Sequence, residues 1–234
     1  MGTFSKEVFI APIIALFVIL KSNLSRTLLL VGLVCCYAYF FRNYWFFLAA
    51  TVVILLLSKK MSSRWRGTFV TAPLLVIVGT LLIASAMGVP GDYYRSSVNT
   101  YREAYGDVNS LIPRYVEFAE PFAAIANNML SFAFLQFALP LLFKMSPYYV
   151  LISVFIGSLW ITFYQSVVRL DVAVPDRDTY SRLSRASILL LSFLVTQSFF
   201  EPDYGSALKH LTPFIPLLFW IYLRSNISAP QHVD

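Results

Sequence analysis

Ile188-Leu189-Leu190-Leu191-Ser192-Phe193-Leu194-Val195 and Phe214-Ile215-Pro216-Leu217-Leu218-Phe219-Trp220-Ile221-Tyr222 are two apolar runs, and between them the chain writes Gln197-Ser198-Phe199-Phe200-Glu201-Pro202-Asp203-Tyr204-Gly205-Ser206-Ala207-Leu208-Lys209-His210-Leu211-Thr212-Pro213. Two carboxylates, an ammonium and an imidazole thus sit within ten residues of each other. An ionisable group at or near hydrocarbon costs several kcal/mol unless it is paired, wet or lining a cavity. The apolar runs therefore set the solvent, and the polar island between them is the first place to look for function.

The rest of the chain agrees about the solvent. Of 234 residues, 58% are hydrophobic and 13% are charged, against roughly 25% charged in a soluble domain. Apolar runs cover 8 to 20, 27 to 41, 43 to 58, 68 to 88, 121 to 143, 147 to 168, 186 to 200 and 211 to 223. A span needs about 20 such residues, so the first three are short. The reading is an all-α, polytopic bundle of seven to eight membrane helices forming a single integral membrane domain over residues 1 to 234. No cleavage site follows the first run, because Lys21-Ser22-Asn23-Leu24-Ser25-Arg26 comes next, and it is read as a retained helix. The Gly2 to Lys6 stretch is a poor match to a myristoylation signal.

Lys59, Lys60, Arg64 and Arg66 lie in one acid-free loop, which the positive-inside rule places in the cytoplasm. The net charge of +6 is spread over such loops, so it reads as topology and not as a nucleic-acid surface. The segment 91 to 120, with five acids against three arginines, falls on the opposite side. A re-entrant stretch around Pro121 to Asn128 would restore alternation further on, with Asn127 and Asn128 tolerated only in protein or facing water. Pro73, Pro140, Pro213 and Pro216 fall in or beside spans, where proline kinks helices. At least one helix, above all the one following the island, is expected to be broken or re-entrant. Cys35 and Cys36, adjacent in an apolar run, have neither metal-ligand nor disulfide spacing and are expected to be buried packing residues.

Three constellations carry chemistry. In 91 to 120, an amphipathic extramembrane segment, Tyr94, Val98, Tyr101, Tyr105 and Val108 share a helix face, and Arg95 and Arg102 form a neighbouring stripe. Such a helix lies at the membrane surface with its arginines in phosphate, or forms a groove where tyrosines stack on sugars and arginines hold an anion. In 168 to 185, Asp178 or Thr179 can cap the next helix, and Arg182 and Arg185 lie one turn apart. That loop is either a solvated connector or a diphosphate clamp. In the island, Asp203 or Ser206 can cap a helix beginning near Ala207. A carboxylate can also take a proton from a hydroxyl while His210 or Lys209 balances a departing phosphate. The same groups would equally serve a turn that holds two helices together. No phosphate-binding Gly-rich loop, nucleophile elbow or zinc-protease motif is present, and His232 in the tail is the other histidine.

The stretch Gln197 to Ser206, followed by Lys209-His210-Leu211-Thr212-Pro213 and an apolar run, resembles one in bacterial membrane proteins of O-antigen and exopolysaccharide assembly, some of them repeat-unit polymerases. The resemblance covers about twenty residues, with only hydropathy shared upstream. It implies a multi-pass protein of the bacterial inner membrane that handles an undecaprenyl-diphosphate-linked oligosaccharide without cofactor or metal. Arg182, Arg185 or Lys209 would hold the diphosphate, and Asp203 or Glu201 would deprotonate the acceptor hydroxyl. His210 or Lys209 would balance the leaving charge, with Arg95, Arg102 and Tyr101 as further substrate contacts. Members of that group are longer, so the chain is expected to be a minimal member, an accessory subunit or one that works with other membrane proteins. The alternative is a non-catalytic membrane subunit or small transporter that binds an ion or a partner through the same broken helix.

Overall fold

The computed structural model describes residues 9–21, 23–62, 64–106 and 110–227. Val8, Val108, His232 and the Gly2 to Lys6 stretch lie outside them. The elements are α1 (Ile10–Ile19), α2 (Leu24–Phe41), α3 (Trp45–Met61), α4 (Trp65–Met87), α5 (Tyr93–Ala104), α6 (Phe122–Phe137), α7 (Leu139–Leu142), α8 (Pro147–Ala173), α9 (Arg177–Phe200), α10 (Tyr204–Leu211) and α11 (Ile215–Ile227). A 3₁₀ turn, Thr212–Phe214, joins the last two. The described chain is helical with no strand. Among the described residues four helices, α2, α4, α8 and α9, are long and apolar enough to cross a membrane. This is a helical membrane protein.

Local chemistry sets the boundaries. Asn23 accepts the amide of Arg26 at 2.9 Å and starts α2. Asp176, and not Asp178 or Thr179, caps α9, accepting the amides of Asp178 at 3.2 Å and Thr179 at 2.9 Å. A cap bonds amides two and three residues onward, and α9 begins at Arg177, so the preceding aspartate has the right register. The run 121 to 143 is interrupted: α6 stops at Ala138, whose φ is 47°, and Pro140 opens α7. The left-handed backbone at Ala138 ends α6, and Pro140, which offers no amide, sits where a new helix tolerates it, in its first turn. Pro73, by contrast, is carried inside α4. The expected break after the island is present, as the 3₁₀ turn at Pro213.

Which helices face protein does not follow their apolarity. In its most apolar window α9 is 94% buried, whereas α2 and α4 are 22% buried. From Leu183 to Phe199 every residue of α9 is buried, including Arg185, Ser187, Ser192, Thr196, Gln197 and Ser198. α4 turns Val70, Leu74, Val78 and Leu82 outward. A helix rich in small and hydroxyl side chains packs closely among neighbours, and a purely aliphatic one can face lipid. Cys35 is half-buried and Cys36 is exposed on α2, so the expectation of burial fails for Cys36.

The chain forms two compact units. One is drawn from residues up to Thr68, Ile161–Ser192 and those from Leu211 onward; the other is Phe69–Trp160 with Phe193–His210. In the first, Tyr37 packs on Phe41 and Trp45 with ring centroids at 5.1 and 4.6 Å, and Trp45 meets Phe214 at 6.5 Å. Arg185 donates to the carbonyls of Phe17 and Leu20 and so caps the C-terminus of α1. The second unit holds α5, α6 and α7 whole and α10 up to His210, and it contains the polar island from Gln197 to His210.

Candidate functional site

The island is built on the segment between α4 and α6. Pro202 fixes the backbone after α9, and residues 202 to 204 pair antiparallel with 110 to 112: the amide of Ile112 donates to Pro202 O at 2.8 Å and that of Tyr204 to Ser110 O at 2.9 Å. Buried backbone donors must find acceptors, and this two-bond pairing supplies them where no helix can. Asn99 reinforces it by donating to Ile112 O at 2.7 Å.

On α5, Arg95, Asn99 and Arg102 recur at spacings of four and three, so they share one face. That face turns into the protein. Arg95 is 1% exposed and donates to Ser198 O at 2.6 Å, at the C-terminal end of α9 where carbonyls lack helical partners. Burial brings its pKa down to about 10, with Asp92 opposing the shift, so it is a cation at neutral pH. Tyr101 and Tyr105 lie on the outer face, 64% and 73% exposed, with their rings tilted against each other at 4.7 Å. The expected surface helix with its arginines in phosphate is therefore corrected at Arg95: the tyrosines face outward and the arginine face is spent on protein.

Asp203 is the hub. It pairs with Arg102, accepts the amide of Ser206 at 2.8 Å and its hydroxyl at 2.7 Å, and lies 3.5 Å from the Ser110 hydroxyl. Burial pushes its carboxyl upward in pKa, but the two Ser206 bonds and Arg102 outweigh burial and hold it below the ordinary carboxylate range. It is the N-cap of α10 and a fixed anion at once. Gly205 follows closely: a Cβ there would come within 3.1 Å of Asp203 Oδ1.

Beside it, Glu201 Oε2 and His210 Nδ1 are 2.8 Å apart, with the glutamate side chain 3% exposed and the imidazole 17%. One turn of α10 separates Ser206 from His210, so the cap at Asp203 also sets where the imidazole stands. When Nδ1–H donates to Glu201, Nε2 is the acceptor nitrogen of the neutral ring. This carboxylate-imidazole pair is the arrangement that orients a general base.

Further polar contacts lie in the same unit. The Tyr115 and Tyr204 hydroxyls meet at 3.3 Å, and burial raises the pKa of both, keeping them neutral hydrogen-bonding groups. Arg114 bridges the buried Asp92, at 3.2 Å, to Glu120. Glu120 in turn accepts the amide of Ala124 at 3.3 Å in the first turn of α6. Asn127 accepts the amides of Tyr115 and Val116 at 2.7 and 3.1 Å and donates to Val116 O and Ala123 O, both at 2.9 Å. Asn128 donates to Thr80 Oγ1 at 3.0 Å and Gly91 O at 3.1 Å. The two asparagines are buried in protein, the first of the two settings that an apolar run allows them.

Five of the sequence candidates, Asp203, Glu201, His210, Arg95 and Arg102, thus belong to one assembly. Lys209 is exposed on α10. Arg182 and Arg185 belong to the other unit and do not act as a pair: Arg182 binds Asp178 at 3.1 Å and Arg185 caps α1. Asp92, Arg114, Glu120, Tyr115 and Tyr204 were not singled out as site residues. Their signal was available only as the excess of charge in a segment between apolar runs. Among the described residues no three histidine, cysteine or acidic side chains gather as metal ligands. No protein-family profile, no curated protein and no solved structure matches the chain.

Proposed function

We propose that the chain is a multi-pass protein of a bacterial inner membrane, with seven or eight membrane helices, that handles a lipid-diphosphate-linked oligosaccharide during surface polysaccharide assembly. The observation that carries the reading is the Glu201–His210 pair, 2.8 Å apart on the capped start of α10 and beside the fixed anion Asp203. Its support is chemical: an oriented imidazole and an exposed ammonium one residue before it are what removal of a hydroxyl proton and stabilisation of a departing diphosphate demand.

In this reading the roles left open by sequence divide. Asp203, committed to Arg102 and to the α10 cap, is a positioning residue and a poor base. His210, oriented by Glu201, takes the proton from the acceptor hydroxyl as that oxygen attacks the anomeric carbon of the donor. The bond from that carbon to the diphosphate oxygen breaks, and Lys209 balances the departing charge. The proton stays on His210, paired with Glu201.

The test is polymer formation from a lipid-linked oligosaccharide by the purified full chain in vesicles. His210→Gln is expected to reduce the rate by about 10²-fold or more, with protein levels and helix content unchanged. Wild-type polymer from His210→Gln and from Glu201→Gln would overturn the catalytic reading. The observation that favours a non-catalytic membrane subunit is the closure of Asp203, whose oxygens are already taken up by Arg102 and Ser206. Under that reading both variants lose a partner protein in pull-downs and no polymer forms with wild type.

A further inference from the structure

In the first unit a cavity of about 660 Å³ opens where the start of α4 meets the end of α8 and the start of α9. Arg64, Trp65, Arg66, Asp171, Arg177 and Tyr180 are in its lining. The acids of this region are each committed. Asp171 lies 3.6 Å from Lys59 Nζ and accepts the Tyr180 hydroxyl at 2.7 Å. Asp176 caps α9, and Asp178 pairs with Arg182 at 3.1 Å. Arg64, Arg66 and Arg177 form no ion pair among the described residues. Lys59 lies over the Trp65 and Tyr180 rings at 4.8 and 5.8 Å, which ties the acid, the lysine and both aromatics into one wall. The cavity is left with three guanidinium groups that form no ion pair among the described residues.

Tyr180 also lines a second cavity, of about 520 Å³, where Leu24, Leu56, Leu57 and Ile188 stand beside Lys60 and Arg185. A basic cavity and a largely aliphatic one therefore share a side chain. Guanidinium groups match phosphate oxygens in pairs, tryptophan and tyrosine favour headgroup depth, and basic pockets between membrane helices accept anionic headgroups. We propose that the two cavities together hold one anionic phospholipid, with the phosphodiester among Arg64, Arg66 and Arg177 and an acyl chain along Leu24, Leu56, Leu57 and Ile188. The aliphatic cavity is what favours a lipid over free phosphate.

The experiment uses the full chain purified in neutral detergent and mixed with phosphatidylglycerol, phosphatidylcholine or inorganic phosphate. Native mass spectrometry counts bound lipid, and thermal unfolding reads stabilisation. The wild type is expected to retain phosphatidylglycerol over phosphatidylcholine, with affinity falling by about ten-fold for each of Arg64→Gln, Arg66→Gln and Arg177→Gln. Leu57→Gln is expected to weaken phosphatidylglycerol without changing any response to phosphate. Arg224→Gln, an exposed arginine of α11 outside both cavities, is expected to bind as wild type does. Equal losses in Arg224→Gln and in the cavity variants would reduce the effect to general charge and overturn the site. So would undiminished retention in the three single variants, or stabilisation by inorganic phosphate that matches phosphatidylglycerol and ignores Leu57→Gln, which assigns the cavity to free phosphate. The single variants change exposed side chains, and any one of them that folds decides the question.

Discussion

Asp203 and Arg102 satisfy each other inside the protein, whereas Arg64, Arg66 and Arg177 line an open cavity and form no ion pair among the described residues. Both regions are rich in charge, yet only one is closed. The difference teaches where pairing is compulsory. The Asp203 side chain is 6% exposed, and a charge at that depth without a partner costs several kcal/mol. Arg64, Arg66 and Arg177 are exposed, remain hydrated, and can wait for a ligand at little cost.

The closed region breaks most severely at Asn127. Asn127→Ala removes the acceptor of two amides and the donor to two carbonyls, and is expected to destabilise by about 4 kcal/mol, read from unfolding in mixed detergent. Asp203→Ala comes next, at about 3 kcal/mol, because Arg102 loses its anion and α10 its cap. Hydrogen exchange should then accelerate at the Ile112 and Tyr204 amides before it does elsewhere. If those amides stay as protected as in wild type, the pairing of 110–112 with 202–204 does not depend on Asp203 and the hub is misplaced.

Gly91→Ala probes the packing beneath. Its Cβ would fall 2.4 Å from Thr80 Cγ2 and 2.6 Å from the Thr80 carbonyl, so the chain must move, at about 2 kcal/mol. Gly88, where nothing lies within 4 Å but φ is +66°, tests backbone strain alone, and its alanine variant should cost about 1 kcal/mol. Comparable losses at both sites would mean that the close approach of Gly91 to α4 is not what matters.

Acid separates the two regions with a smaller effect. The folded pKa of Asp203 lies below its unfolded value, so its contribution is full above the unfolded value of about 4 and disappears as pH falls through the depressed one. Asp203→Asn should flatten the acid limb of a stability-against-pH curve. Arg64→Gln, by contrast, should leave that limb unchanged and shift lipid-free stability by less than about 0.5 kcal/mol.

Much of this was legible in the chain. The apolar runs locate every helix but α5 and α10, Pro213 marks the break after the island, and Asn127-Asn128 within an apolar run had to lie in protein or face water. The island itself was visible as charge in the wrong solvent. What stayed hidden was its partner. Asp203 and Arg102 are far apart in sequence, and nothing local distinguishes Arg102 from Arg182 or Arg185 as the guanidinium that meets it. The tyrosine periodicity of α5 drew the eye to the outer face, although its arginines make the contacts. Asp176, Asp178 and Thr179 crowd the turn before α9, and only the true start of the helix at Arg177 selects Asp176 among them.

Sequence alone determined that the chain is helical and lives with membrane, since composition and run length are properties each segment carries by itself. It also determined where ionisable groups had to be explained, because their cost in hydrocarbon does not depend on the fold. Tertiary structure alone decided which charges are closed on each other and which are open. Pairing depends on distances between segments remote in sequence, and burial depends on what those segments exclude. That is why Asp203 is a fixed, partnered anion while Arg64, Arg66 and Arg177, in sequence no less basic than Arg102, are left to meet a ligand.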